Sequence, residues 1–384
     1  MALSLLHRRP DSGLGNIRSS PGAPSRNIDW TLLVGQGLLT IIGCCVVFSA
    51  TRTQAGDPYT FVTRQVVFAI GATVVMVLVM AVDYEWLRDR ARILYAITVL
   101  VLGGLLVLSK VRGDTQLGFD VGPIQIQPAE LAKFTVLLAL CAHLTEDRKE
   151  EFTYARFLGG LVIVGLPAVL IIAQPDLGTG SVLIAMAMGV LLVAGAKLRY
   201  ILTISFLAVV TLAAAYVGNL VNDYQLERLQ VFIDDDNPDF QDSVFQVRNA
   251  IRAVGTGGVV GKGWLQGPLT NGRDIPVVWA DFPFAAVGEQ FGLIGCSLLL
   301  ALFIVVLVRI WRIAHLSRDL LGTYICAGVF TMLLWQVFQN VGMTLGIMPV
   351  TGLPMPFISY WGSSLVTYFA MFGLVQSVHM RRMR

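Results

Sequence analysis

Apolar runs about as long as a bilayer is thick fill most of the chain, separated by short polar, basic or Pro/Gly-rich breaks. A helix crossing the hydrocarbon layer needs about 20 mainly apolar residues. Ten runs meet or approach that length: 30–50, 65–82, 93–109, 128–143, 157–173, 179–196, 200–218, 284–308, 320–344 and 363–380. The pattern predicts an all-α polytopic membrane protein of about ten transmembrane helices. The first run is too long for a cleavable signal peptide and has no convincing cleavage site.

The breaks differ in charge. Eighteen of the 28 Lys and Arg fall on one side of the predicted membrane, including Arg88, Arg90, Arg92, Arg309, Arg312, Arg318, Arg381 and Arg382. The short loops on the other side hold only Arg52, Arg64, Lys110 and Arg112. Basic residues stay cytoplasmic, so both termini are expected inside. The polar stretch 1–28, rich in Ser, Pro and Gly, reads as a disordered cytoplasmic tail ahead of a transmembrane domain at 29–384. Between the seventh and eighth spans lies an extracytoplasmic loop, 219–283. Its own apolar, aromatic and turn residues predict a folded element. A second outer segment, 345–362, is uncharged and carries Pro349, Pro354 and Pro356. Irregular backbone at that depth must be buried in protein or line a wet cavity.

Composition agrees. Of 384 residues 55% are hydrophobic and 14% charged, with a mean hydropathy of +0.70. Such a chain has too little polar material for a water-covered surface and too much apolar material for disorder. A net charge of +3 gives no case for nucleic acid. Cys44, Cys45, Cys141, Cys296 and Cys326 lie in apolar runs without metal spacing, and the four His form no ligand set.

Ionisable groups at membrane depth are costly, so each needs a reason. Pro128 suits the first turn of a helix, which places Glu130 near its positive end and Lys133 three residues on, along the same face. The two are either a helix-stabilising pair or fixed charges at the floor of an outward cavity. Asp176 lies in a short outer turn, where capping the next helix is its plain role. Glu289 has no neighbour in sequence to pair with and is expected to face the bundle interior. Gln336, Gln339 and Asn340 crowd the outer half of the ninth span, where bonding between helices is the default. Asp281, in Trp279-Ala280-Asp281-Phe282-Pro283, sits where the long loop enters the eighth span. Partial burial among aromatics would raise its pKa and suit it to accept a proton; a helix N-cap is the other reading, and residue physics leaves both open.

Gly255-Thr256-Gly257-Gly258-Val259-Val260-Gly261-Lys262-Gly263 looks like a phosphate loop, but Gly263 follows the Lys where Ser or Thr is required. The acidic run Asp234, Asp235, Asp236, Asp239 and Asp242 lacks calcium-loop spacing.

Five segments together resemble the SEDS family of RodA, FtsW and SpoVE proteins. Gln127-Pro128-Ala129-Glu130-Leu131-Ala132-Lys133 is similar to its QPSE-x-x-K segment, and Gln174-Pro175-Asp176-Leu177-Gly178-Thr179 to another outer turn. Gly257 to Gly263 resembles its GG-x-x-GKG loop. Ala280-Asp281-Phe282 followed by Gly288-Glu289-Gln290-Phe291-Gly292 resembles TDF…GEEFG. Asn340 to Ser364, through Pro349-Val350-Thr351-Gly352-Leu353-Pro354 and Ser359-Tyr360-Trp361-Gly362-Ser363-Ser364, resembles its signature, in wording nearer to RodA than to FtsW. The matches run from about Trp30 to the end.

The resemblance implies a peptidoglycan glycosyltransferase in the bacterial cytoplasmic membrane. It would polymerise lipid II on the outer face, beside a class B penicillin-binding protein, in cell elongation and shape. The family's essential carboxylate maps to Asp281, which favours the catalytic reading over the cap. An inverting transfer would have Asp281 take the acceptor hydroxyl proton as undecaprenyl pyrophosphate leaves. The leaving group needs positive charge: Arg248, Arg252, Lys262 and Arg273 are the candidates, or a divalent cation such as Mg2+ or Mn2+. Glu130, Lys133, Asp176, Glu289, Asn340, Ser359 and Ser363 are expected around the cavity or the lipid headgroup. The chain departs from the pattern at Gly118 (a Trp in many members), at Trp361 (the second Gly of SYGGSS), at Asn249 (commonly Gln) and in ADF for TDF. A sugar-stacking Trp therefore does not carry over. A lipid II flippase or transporter is the alternative, weakened by the lack of an internal repeat. A non-catalytic scaffold for a transpeptidase is the third reading.

Overall fold

The computed structural model describes residues 27–53, 57–112, 118–121, 124–146, 152–200, 202–203, 241–272 and 274–383. The architecture is carried by α1 (Trp30–Thr51), α2 (Thr60–Ala81), α3 (Tyr84–Arg112), α4 (Pro128–Thr145), α5 (Tyr154–Ile172) and α6 (Leu177–Val193). Then follow α7 (Gln241–Gly257), α8 (Pro268–Asn271), α9 (Pro283–His315), α10 (Leu320–Thr344) and α11 (Gly362–Met380). Seven of these, α1 to α5 with α9 and α10, are long and apolar enough to cross a membrane, and α6 is a shorter apolar helix. The fold is that of an all-α multi-pass membrane protein. Among the described residues the only strands form an antiparallel hairpin before α4, β1 (Phe119–Val121) with β2 (Ile124–Ile126), pairing Phe119 with Ile126.

Nine of the ten predicted runs fall on described helices. Of the remaining one, residues 204–218 lie outside the described residues, as do 1–26 of the predicted tail and 219–240 of the long loop. Hydropathy placed the ends of several helices wrongly. α3 starts nine residues before its predicted run and carries Arg88, Arg90 and Arg92 within the helix; α9 runs seven residues past its predicted end. A helix keeps its backbone bonds as it leaves the lipid, so charge ends the apolar run without ending the helix.

Lateral position explains the composition of each helix. α3 exposes Ile93, Ile97, Leu100 and Val107, as a lipid-facing helix should. α11 lies inside the bundle against α2, buried at nearly every position from Leu365 to Met380, and there carries Thr367, Gln376, Ser377 and His379. Its polar groups are answered by protein: the Gln376 amide exchanges two hydrogen bonds with the Asp29 backbone at 3.0 and 2.9 Å. Among the described residues five helices start on a side-chain cap: Asp29, Asp83, Thr153, Asp176 and Asp319 receive the N–H of Leu32, Glu85, Arg156, Thr179 and Gly322.

The two ends of the bundle differ. At one end Arg309 pairs with Asp29, Arg318 with Glu85, Arg92 with Glu146 and Arg381 with Asp83. Arg381 also caps the end of α2, donating to the carbonyls of Met80 and Ala81 at 3.2 and 2.9 Å. The glycine loop, α8 and the segment after α10 gather at the opposite end. There the uncharged segment after α10 folds into the bundle, with Leu353, Met355, Phe357 and Ile358 all buried, as expected of irregular backbone at such depth. α1 admits it through Gly43, where a Cβ would lie 2.3 Å from the Phe357 carbonyl oxygen.

α9 is broken. Gly292 has φ +63° and ψ −159°, which only glycine adopts freely. In a continuous helix the N–H groups of Leu293 and Ile294 would donate to the carbonyls of Glu289 and Gln290. Instead they donate to Gly258 and Val259, at 2.9 and 3.1 Å. The freed carbonyls of Glu289 and Gln290 accept from Lys262 and Gly263, both at 3.0 Å. The glycine loop is thus spliced into the helix, bond for bond.

Candidate active site

Asp281 lies just before α9, at the end of the bundle away from the paired arginines Arg92, Arg309, Arg318 and Arg381. The cap position of α9 falls on Phe282, which makes no side-chain cap bond, so Asp281 does not hold the place the capping alternative gave it. A turn at Val277 presents it: the Val277 carbonyl accepts the N–H of Ala280 and of Asp281 at 2.9 and 3.1 Å. Val277 itself has φ +52°, a strained conformation for a β-branched residue. Such strain costs about 1–3 kcal/mol and collects at functional sites. The side chain of Asp281 is half-buried.

Asn340 fixes this turn from beneath. Fully buried in α10, its Nδ2 donates to the Asp281 carbonyl and to the Leu353 carbonyl, each at 2.9 Å. On the other flank Tyr360 N–H donates to the Trp279 carbonyl at 3.0 Å. Phe61 packs between the rings of Trp279 and Tyr360, with centroids 5.5 and 5.2 Å away. Ser359 closes the segment, its Oγ accepting from Met355 N–H at 2.7 Å and its carbonyl from Gln65 Nε2 at 3.1 Å. The turn that carries Asp281 is therefore fixed beside an aromatic cluster held by α2, α10 and the segment before α11.

A second group gathers at the same end. Glu130 and Lys133 form an ion pair of 2.6 Å with both residues buried, Lys133 6.0 Å below the Tyr368 ring. Tyr368 accepts from Gln336 Nε2 at 2.9 Å. Asp176 caps α6 at 2.9 Å and accepts from Gln127 Nε2 at 3.1 Å. Burial raises the Asp176 pKa; the bonds from Thr179 oppose this, and Glu130 adds to it. Ser363 joins the hairpin to α11, accepting from Gln127 N–H at 3.0 Å and donating to the Gln125 carbonyl at 2.8 Å. The buried charge pair and the half-buried cap thus lie close enough to act on one another's charge.

A third group is built around Glu289. It is fully buried, but it faces Lys262 and α8 rather than the interior of the bundle. Its carboxylate accepts from Leu269 N–H (3.0 Å), Thr270 N–H (2.8 Å), Thr270 Oγ1 (2.6 Å) and Lys262 Nζ (3.2 Å). Lys262 is therefore engaged by protein. Arg248 and Arg252 do sit one turn apart on α7, exposed, while Ala250 and Ala253 of that helix are buried. Arg273 lies outside the described residues. Among the described residues no three His, Cys, Asp or Glu side chains gather to hold a metal.

The departures from the family pattern have local causes. Gly118 abuts the hairpin, where a Cβ would lie 2.7 Å from the Ile126 carbonyl oxygen, so a Trp would displace the strands. Trp361 occupies the cap position of α11, its Nε1 buried without a partner. Asn249 holds the Asp274 carbonyl at 2.7 Å. The sequence reading missed Phe61, Tyr368, Thr270 and Gln290; each meets its partners across many residues of chain, and no local pattern reports that.

A family model described as cell cycle protein, FtsW/RodA/SpoVE, matches residues 29–384. Stage V sporulation protein E of Bacillus subtilis is 34% identical over 364 residues, covering 91% of this chain and 96% of that protein. Peptidoglycan glycosyltransferase MrdB of Escherichia coli is 31% identical over 361 residues, covering 93% and 94%. Among solved structures, a chain of a peptidoglycan synthase complex that coordinates polymerization and crosslinking is similar at TM-score 0.74. It shares 28% identity and covers 92% of this chain and 98% of its own. The rod shape determining protein RodA of Thermus thermophilus is similar at TM-score 0.68 and 27% identity, covering 92% and 97%.

Proposed function

The chain belongs to the FtsW/RodA/SpoVE family and is a peptidoglycan glycosyltransferase; on that premise we propose that Asp281 is its general base and lipid II its substrate. One observation carries this. Asp281 sits on a strained turn just before α9, its backbone carbonyl tied down by Asn340 and its neighbour Trp279 packed in a ring cluster with Phe61 and Tyr360. Preorganised geometry of this kind is what proton transfer in a transition state requires.

In the proposed reaction the Asp281 carboxylate takes the proton from the 4-hydroxyl of the acceptor GlcNAc. The freed oxygen pair forms a bond to C1 of the donor MurNAc from the face opposite the leaving group. The C1–O bond to undecaprenyl pyrophosphate breaks, and its electrons leave with the pyrophosphate. Arg248 and Arg252, exposed and one turn apart on α7, supply positive charge for that anion. Glu130, Lys133 and Asp176 orient the headgroup. Among the described residues no three His, Cys, Asp or Glu side chains gather to hold a divalent cation. No step is assigned to one.

The same reading places Asp281 outside the cytoplasmic membrane and the ion-paired basic end inside it. It also gives the chain a class B penicillin-binding protein as working partner, in line with the complex to which its fold is similar. Purified protein and labelled lipid II test the assignment. Wild type is expected to give glycan product and Asp281→Asn at least about 100-fold less, the scale of lost general-base catalysis. Equal product from both would remove Asp281 from the mechanism, and lipid movement without product would favour a flippase.

A further inference from the structure

We infer that Glu289 is a positioning residue: by holding Lys262 and Thr270 it latches α7, the glycine loop and α8 to the short half-helix that carries Asp281. This deepens the reading above and rests on it.

Gly292 divides α9 into a nine-residue outer piece, Pro283 to Phe291, and the long spanning remainder. Two backbone bonds that would hold the pieces in line are gone, and the glycine loop supplies their replacements. The tilt of the outer piece, and so the height of Asp281 two residues before it, depends on that loop staying seated. Glycine is needed on both sides: a Cβ on Gly257 would lie 2.0 Å from the Gly288 carbonyl oxygen, and one on Gly261 2.2 Å from that of Gln290.

The side chains of the last helical turn before the break continue the fastening. Glu289 answers four donors, three of them at α8. Gln290 Oε1 accepts from Leu265 N–H at 3.0 Å and from Ser49 Oγ of α1 at 2.7 Å. Thr53 and Arg52, just past α1, donate to the carbonyls of Asn271 and Leu265. α1 therefore anchors the far end, and Glu289 is the only acidic side chain among these fastenings.

The consequence separates two roles for Lys262. If it bound the departing pyrophosphate, Lys262→Met would weaken donor binding. As part of the latch it governs geometry, so binding is retained and turnover falls. Displacing a reacting group by about 1 Å costs on the order of 100-fold in rate.

The experiment uses full-length protein in lipid nanodiscs with two readouts. Hydrogen exchange of the unliganded protein reports the latch without any chemistry. Glu289→Gln is expected to speed exchange across 262–272 at least about tenfold, leaving 296–315 unchanged. Lipid II polymerisation should then show kcat at least about tenfold lower with KM within about twofold. Thr270→Val, which removes only the hydroxyl bond, covers the case in which Glu289→Gln does not fold. It should shift both readouts the same way by a smaller amount, and Thr270→Ser should restore them. Unchanged exchange in Glu289→Gln or, where that variant does not fold, in Thr270→Val would overturn the latch. So would a raised KM at unchanged kcat in Lys262→Met, which would make that cation a substrate contact. The exchange arm stands even if Asp281→Asn proves active, so failure of the latch and failure of the base are told apart.

Discussion

Lys133 has no exposed surface and spends its charge on one carboxylate oxygen of Glu130, while the other oxygen, Oε2, has no bonding partner among the protein groups. Removing one member of such a pair strands the other's charge in a low-dielectric interior, at a cost of about 3–5 kcal/mol. Lys133→Met should therefore lower the thermal midpoint sharply. The double change Lys133→Met with Glu130→Gln should recover most of the loss, because no charge is then left buried. A double variant as unstable as the single one would mean that packing, not charge, dominates here. Sequence spacing alone joined these two residues, since three positions along a helix share a face. It gave Asp176 its cap for a similar reason, because the bonded partner is three residues away. Glu289 shows the limit: its partners Lys262 and Thr270 are 27 and 19 residues distant, and nothing in the spacing announces them.

At the scale of elements, the glycine loop is the sharpest case. Its spelling suggests phosphate binding, and chemistry at position 263 excludes that, but its actual use depends on a helix break thirty residues further on. Gly292→Ala should be strongly destabilising. The residue would have to hold φ +63°, and its Cβ would lie 2.4 Å from the Gly261 nitrogen. The conformation alone costs about 1–3 kcal/mol, and the clash with backbone adds to it. Gly255→Ala is the matched control in α7, where the new methyl meets nothing within 4 Å and removes a helix glycine worth about 0.5–1 kcal/mol. Thermal unfolding should move the two variants in opposite directions; equal shifts would refute the splice. The helices themselves were legible because lipid demands long apolar runs. Their ends were not, since α3 and α9 continue past the lipid into charged sequence.

For the whole molecule, the sequence reports direction more clearly than shape. Counting basic residues by loop predicted two unlike ends, and the structure gathers the ion pairs of Arg309, Arg318, Arg92 and Arg381 at one of them. Asp281, Asn340, Glu289 and the buried Glu130–Lys133 pair lie toward the other. What hydropathy could not show is which helices are inside the bundle. α11 reads as one more span, yet it is buried along its length, with α2 packed against it from the outside of the bundle. If basic residues mark the cytoplasmic side, the proposed base works outside, where a lipid-linked disaccharide would be polymerised. Cysteines introduced on the two faces test this directly. In intact cells a membrane-impermeant maleimide should label Arg252→Cys on α7, and should reach Arg90→Cys, exposed at the start of α3, only after permeabilisation. The opposite pattern would put Asp281 in the cytoplasm, and an outer-face polymerase could not then be built on it.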